Sequence, residues 1–126
     1  MPAAPPPPRV RRILVVDDNR DARELLRTIF ELDGHQVQDA AEGAQAVRLA
    51  VEWTPEVALI DIGLPEVDGY EVARRIRKRL GGAVRLIALT GYGDAEARRL
   101  AAEAGFDEHL VKPVDPDTLG DLLRAS

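Results

Sequence analysis

The chain has 126 residues, a formal net charge of -5 and no cysteine. That length suits one domain with a core of its own, and the absence of thiols excludes disulfides and thiolate metal sites. The acidic balance argues against nucleic-acid binding, which rests on neutralising phosphates, and no apolar run approaches the roughly 18 residues of a membrane span. No signal peptide is visible either, so the expectation is a soluble, cytoplasmic domain that makes no membrane contact of its own.

Residues 1–10 hold five of the nine prolines and few side chains to bury. They read as a proline-rich linker or disordered tail, with an SH3-type ligand as the sharper alternative, and residues 11–126 form the domain proper. The first strand is expected at about 12–16, where Ile13-Leu14-Val15-Val16 is continuous apolar sequence, as in a strand buried on both faces. A helix follows at about 20–32, with Ala22, Leu25, Leu26 and Ile29 on one stripe and Asp33-Gly34 ending it. The polar segment 36–39 reads as a short edge strand. His35, in the turn before it, reads as a surface residue.

The second helix, about 43–52, turns Val47, Ala50 and Val51 inward and stops before Thr54-Pro55. A third strand at about 56–60 precedes a helix at about 69–79 that buries Val72, Ala73 and Ile76 and ends at Gly81-Gly82. A fourth strand at about 84–89 leads to a helix at about 94–104, with Ala97, Leu100, Ala101 and Ala104 inward. The fifth strand is about 108–111. The last helix, about 116–124, offers Leu119, Leu122 and Leu123, with Asp115-Pro116 as cap and first turn. This alternation predicts an α/β fold, a doubly wound parallel sheet of flavodoxin-like (βα)5 type with strand order 2-1-3-4-5.

In such a sheet ligands bind at the carboxyl ends of the strands, near the switch point between the first and third. Asp17 and Asp18 end the first strand, and Asp61 ends Val57-Ala58-Leu59-Ile60. Three neighbouring carboxylates repel one another and need compensation. An all-oxygen set suits Mg2+, with Mn2+ as a substitute, and the Gly63 carbonyl can supply a further oxygen. The competing reading is a set of surface acids capping helices, with Asp18 well placed to cap the first. Thr90 and Lys112 end the fourth and fifth strands and bring a hydroxyl and an ammonium to the same edge, both suited to a phosphoryl group.

The chain resembles the receiver domain of bacterial response regulators over nearly all of residues 11–124. The resemblance is carried by Ile13-Leu14-Val15-Val16-Asp17-Asp18-Asn19, Leu59-Ile60-Asp61-Ile62-Gly63-Leu64-Pro65, Asp68-Gly69-Tyr70-Glu71-Val72, Ala88-Leu89-Thr90-Gly91 and Val111-Lys112-Pro113, in that order. It implies a phosphoacceptor switch of two-component phosphorelay signalling that catalyses only its own phosphorylation and dephosphorylation. Asp61 would be the phosphoacceptor, Asp17 and Asp18 the Mg2+ pair, and Lys112 the partner of Asp61 and of the phosphoryl oxygens. Thr90 would swing toward the phosphoryl group, and Pro113 would follow a cis peptide that aims Lys112. The donor would be a histidine kinase or a histidine phosphotransfer domain. A downstream protein would dock on the fourth helix, fifth strand and fifth helix.

Where many receivers carry a switching aromatic, this chain has His109. A switching role and a partly exposed edge-strand histidine both remain open. The proline-rich lead-in and the segment from Thr90 to Asp115 are similar to receivers of hybrid sensor histidine kinases, and a stand-alone regulator is the alternative. A haloacid-dehalogenase-like phosphatase, the competing enzyme class, also uses an aspartate nucleophile but needs an acid two residues later, where Gly63 stands. An FMN carrier is disfavoured because the acids would repel its phosphate.

Overall fold

The computed structural model describes residues 10–91, 93 and 95–124. The expected proline-rich tail, Val10 apart, lies outside the described residues, as does Asp94 at the expected start of the fourth helix. Five strands, β1 (Arg12–Val16), β2 (Gln36–Ala40), β3 (Val57–Asp61), β4 (Arg85–Thr90) and β5 (Glu108–Val111), alternate with helices α1 (Arg20–Leu32), α2 (Gly43–Trp53), α3 (Gly69–Leu80), α4 (Ala95–Ala104) and α5 (Pro116–Arg124). All pair in parallel, in the flavodoxin-like order β2-β1-β3-β4-β5. Among the described residues no helix is long and apolar enough to cross a membrane.

The continuous apolar runs of β1, β3 and β4 exist because helices cover both faces of the sheet. Alternate side chains feed two separate cores. Leu14, Val16, Ala58, Ile60, Leu86 and Ala88 pack with Ala46 and Ala50 of α2, Val72, Ala73 and Ile76 of α3, and Ala101 and Ala104 of α4. Ile13, Val15, Leu59, Ile87 and Leu89 pack on the opposite face with Leu26 and Phe30 of α1 and Leu119 and Leu123 of α5. Small alanines on α2 and α4 let these helices lie close to the sheet.

Four local expectations change, three of them in helices. In α1, Leu25 is 62% exposed and Phe30 takes its place in the core. The stripe runs through Ala22, Leu26, Ile29 and Phe30, which is as good a helical spacing as the one through Leu25. In α4, Leu100 is exposed while its alanine neighbours are buried. The cap of α1 is Asn19, whose side chain accepts the Ala22 N–H at 2.9 Å, and not Asp18. Asp18 is thereby left for other work.

His35 is buried, not at the surface. Gly34, at φ +88, turns the chain back, and the His35 N–H donates to the Phe30 carbonyl at 3.1 Å. The ring meets Phe30 edge-on, and its Nδ1 accepts the Arg11 N–H at 3.1 Å. Burial, aided by Arg11 and opposed by Asp33 and Glu56, holds the imidazole pKa below its usual 6.5. The unfolded chain therefore binds the proton more readily. The stabilisation is complete above about pH 6.5 and is lost as pH falls through the folded value. His35→Gln keeps an acceptor for Arg11 but cannot titrate. Urea unfolding from about pH 7.5 down to about pH 5 should show a steeper loss of stability in the parent than in this variant.

Candidate functional site

At the carboxyl edge of the sheet, Asp17 follows β1 and Asp61 ends the adjacent strand β3. Asp17 is fully buried, Asp18 exposed and Asp61 half-buried, and one carboxylate oxygen from each lies within 4.8 Å of the others. Asp17 and Asp61 are held alike. Asp17 Oδ1 accepts the Asn19 N–H at 2.9 Å, and Asp61 Oδ1 accepts the Gly63 N–H at 2.9 Å. Each carboxylate thus has one oxygen tied to the backbone two residues on, a local turn that aspartate forms readily. The second oxygens face Lys112, whose Nζ donates to Asp17 Oδ2 at 2.9 Å and lies 3.3 Å from Asp61 Oδ2.

Lys112 reaches this position because its own N–H continues the sheet, donating to the Thr90 carbonyl at 2.8 Å. The Lys112–Pro113 peptide is cis. Burial works against the ammonium charge, but the hydrogen bond and field of Asp17, together with Asp61, outweigh it and hold the lysine pKa above its ordinary value. The ammonium is therefore charged at neutral pH. A buried Asp17 without it would be an uncompensated charge.

Thr90 is the last residue of β4, 5% exposed, and pairs with Val111. His109 is not among the acids. It pairs with Ala88 and, with Arg98, Ala101, Ala102 and Phe106, lines a cavity beside α4.

The turn after Asp61 is held by close approach. A Cβ on Gly69 would stand 2.5 Å from the Asp61 carbonyl oxygen and 2.6 Å from the Ile62 Cα, and the Gly69 N–H donates to the Ile62 carbonyl at 3.1 Å. At Gly63 a Cβ would meet only Asp61 Oδ1, at 3.6 Å, an ordinary contact. Sequence reasoning missed Gly69 in this role, and it missed Arg23. The Nη1 of Arg23 donates to the Asp17 carbonyl at 2.8 Å while its Nε lies 3.5 Å from Asp39 Oδ2. The available signal was a charged Asp39 within a strand next to the helix that carries Arg23.

An all-oxygen cluster of three carboxylates, one of them fully buried, has the donor set that suits a hard divalent cation. The response regulator receiver domain family matches residues 13–124. The chain belongs to that family. An uncharacterized 14.6 kDa protein of Leptolyngbya boryana is 41% identical over 113 residues, 89% of this chain and 86% of that one. Sporulation initiation phosphotransferase F of Bacillus subtilis is 34% identical over 113 residues, 90% of each chain. The chain spans less than half the length of several transcriptional regulators that it also matches.

Among solved structures, the receiver domain of sensor histidine kinase PA1611 from Pseudomonas aeruginosa, with a magnesium ion coordinated in its active site cleft, has a TM-score of 0.84 and 32% identity. The match covers 93% of this chain and 97% of that one. As a two-component receiver domain the chain is a phosphoacceptor switch rather than a true enzyme, of the kind phosphorylated by histidine kinases or phosphotransferases.

Gly69→Ala forces a methyl into backbone that cannot swing aside. It should destabilise the fold by about 1–3 kcal/mol, read as a lower urea midpoint at unchanged m-value.

Proposed function

We propose that Asp61 accepts a phosphoryl group from a phosphohistidine while Asp17, Asp18, Asp61 and the Gly63 carbonyl hold Mg2+. The observation that carries this reading is Lys112 Nζ standing between Asp17 and Asp61, at 2.9 and 3.3 Å. An Asp61 oxygen attacks phosphorus, the P–N bond breaks, and its electron pair stays on the leaving imidazole. The product is an acyl phosphate. Mg2+, when bound, supplies charge neutralisation for the approach of a carboxylate to a phosphoryl group. Lys112 adds a second cation at the same place, and the backbone N–H groups of Asn19 and Gly63 orient the carboxylates before reaction.

In this reading Thr90 closes on the phosphoryl oxygens and His109, three residues before Lys112, passes the change toward α4, β5 and α5, where a downstream partner docks. The domain acts in the cytoplasm. We infer the parent context to be a hybrid sensor histidine kinase, supported by the likeness to the PA1611 receiver. A stand-alone phosphorelay protein is the second reading, favoured by 34% identity to sporulation initiation phosphotransferase F over 90% of that protein's length.

Incubation with acetyl phosphate and Mg2+ should give one base-labile adduct of a single phosphoryl group by intact mass, and Asp61→Asn should give none. An adduct persisting in that variant would remove Asp61 from the role. Lys112→Ala should still take up phosphate but lose the conformational response at His109. Histidine ring signals in NMR spectra, recorded before and after phosphorylation, report it. An equal response in variant and parent would count against the role given to Lys112.

A further inference from the structure

We propose that Arg23 is a positioning residue for the divalent-cation site, holding the peptide that joins Asp17 to Asp18. The inference rests on the metal-binding reading given above. Among the described residues, the Asp18 carboxylate has no hydrogen-bond or ion-pair partner, so its direction is set through the backbone on either side. On one side the Asn19 N–H is tied to Asp17 Oδ1 at 2.9 Å. On the other the carbonyl of the Asp17–Asp18 peptide accepts from Arg23 Nη1 at 2.8 Å. The Asp17 N–H is held by the Ala40 carbonyl at 3.2 Å, which leaves the Arg23 contact as the restraint on the next peptide plane.

The guanidinium is itself fixed. Its side chain is 17% exposed, and its Nε lies 3.5 Å from Asp39 Oδ2, on the strand that pairs with β1. Asp39 is shared with Arg27, whose Nη1 lies 3.6 Å from Oδ1. Among the described residues Arg27 hydrogen-bonds Glu31 and pairs with Asp39, and no hydrogen bond joins it to the Asp17 carbonyl. The two arginines thus form a natural comparison: the same helix and the same aspartate, with one of them reaching the Asp17–Asp18 turn.

The sign of the effect separates positioning from charge. Arg23 is a cation beside a site for cations. If charge were its whole contribution, removing it would relieve repulsion and tighten Mg2+ binding. A positioning role predicts the reverse, because removing a supporting contact loosens the ligands it orients.

The experiment is a calorimetric titration of Mg2+ into the unphosphorylated protein, with amide spectra to check the fold. Arg23→Ala should weaken binding by about tenfold or more. Arg27→Ala should bind within about twofold of the parent, or more tightly, since it removes charge without touching the turn. Arg23→Lys keeps the charge and loses the planar fork, and should weaken binding by about threefold. Parent-like or tighter binding by folded Arg23→Ala would overturn the proposal. If Arg23→Ala does not fold, parent-like binding by Arg23→Lys would do the same. A role confined to stability would lower the urea midpoint without moving the Mg2+ affinity of the folded protein, and that result also overturns it. A parent that binds no Mg2+ would instead overturn the reading of the acidic cluster and this inference with it.

Discussion

A fully buried carboxylate at the end of a central strand is the constraint on which the architecture turns. Asp17 has no access to water, and its charge is tolerable only because Lys112 approaches to 2.9 Å and the Asn19 N–H to 2.9 Å. Asp17 and Lys112 are 95 residues apart. Everything between them must fold so that the fifth strand ends opposite the first. The ion pair is thus a closing condition on the whole chain as well as a local contact, and its lysine is held charged against the cost of burial.

The strand order supplies that closure. β1 and β3 are neighbours at the centre, so Asp17 and Asp61 come to one edge by pairing alone. β4 and β5 extend the sheet beyond them, with Thr90 and Val111 in register, and the Lys112 amide adds one further rung on the Thr90 carbonyl. The lysine stem then spans back across the edge of β4 to the acids. The reach of a long, flexible side chain covers the gap that the topology leaves, which a shorter cation could not do.

Much of this was legible because it rests on contrasts that survive without tertiary context. Continuous apolar runs ending in Asp mark strands leaving a core, and the short, polar Gln36–Ala40 segment marks an edge. What was not legible involves choices between equivalent spacings or contacts remote in sequence. Leu25 and Phe30 extend the Leu26–Ile29 stripe of α1 in opposite directions around the helix, and the shape of the facing sheet decides between them. His35 appears polar in a turn, but Gly34 and the β1 entry at Arg11 enclose it. Asn19 and Asp18 are both good caps; the local turn in which Asp17 accepts the Asn19 N–H settles the choice. Arg23 in a charged helix is indistinguishable from its surface neighbours until Asp39 and the Asp17 carbonyl are seen around it.

The matched treatment of Asp17 and Asp61 has a further consequence for how the site can respond to charge. In both residues Oδ1 is bound to a backbone N–H two residues on, and Oδ2 is turned to the same ammonium. The backbone contacts belong to turns packed against their surroundings, Gly69 leaving no room for the β3–α3 turn to move. The oxygens toward Lys112 are held only by a side chain with several rotatable bonds. Any new charge at the site is therefore absorbed first by Lys112 and the strand end that carries it, while the carboxylates keep their orientation. In the proposed phosphoacceptor role this division of labour is what the chemistry requires. The attacking group stays preorganised, and the cation that responds directly follows β5, which pairs with the strand that ends in Thr90.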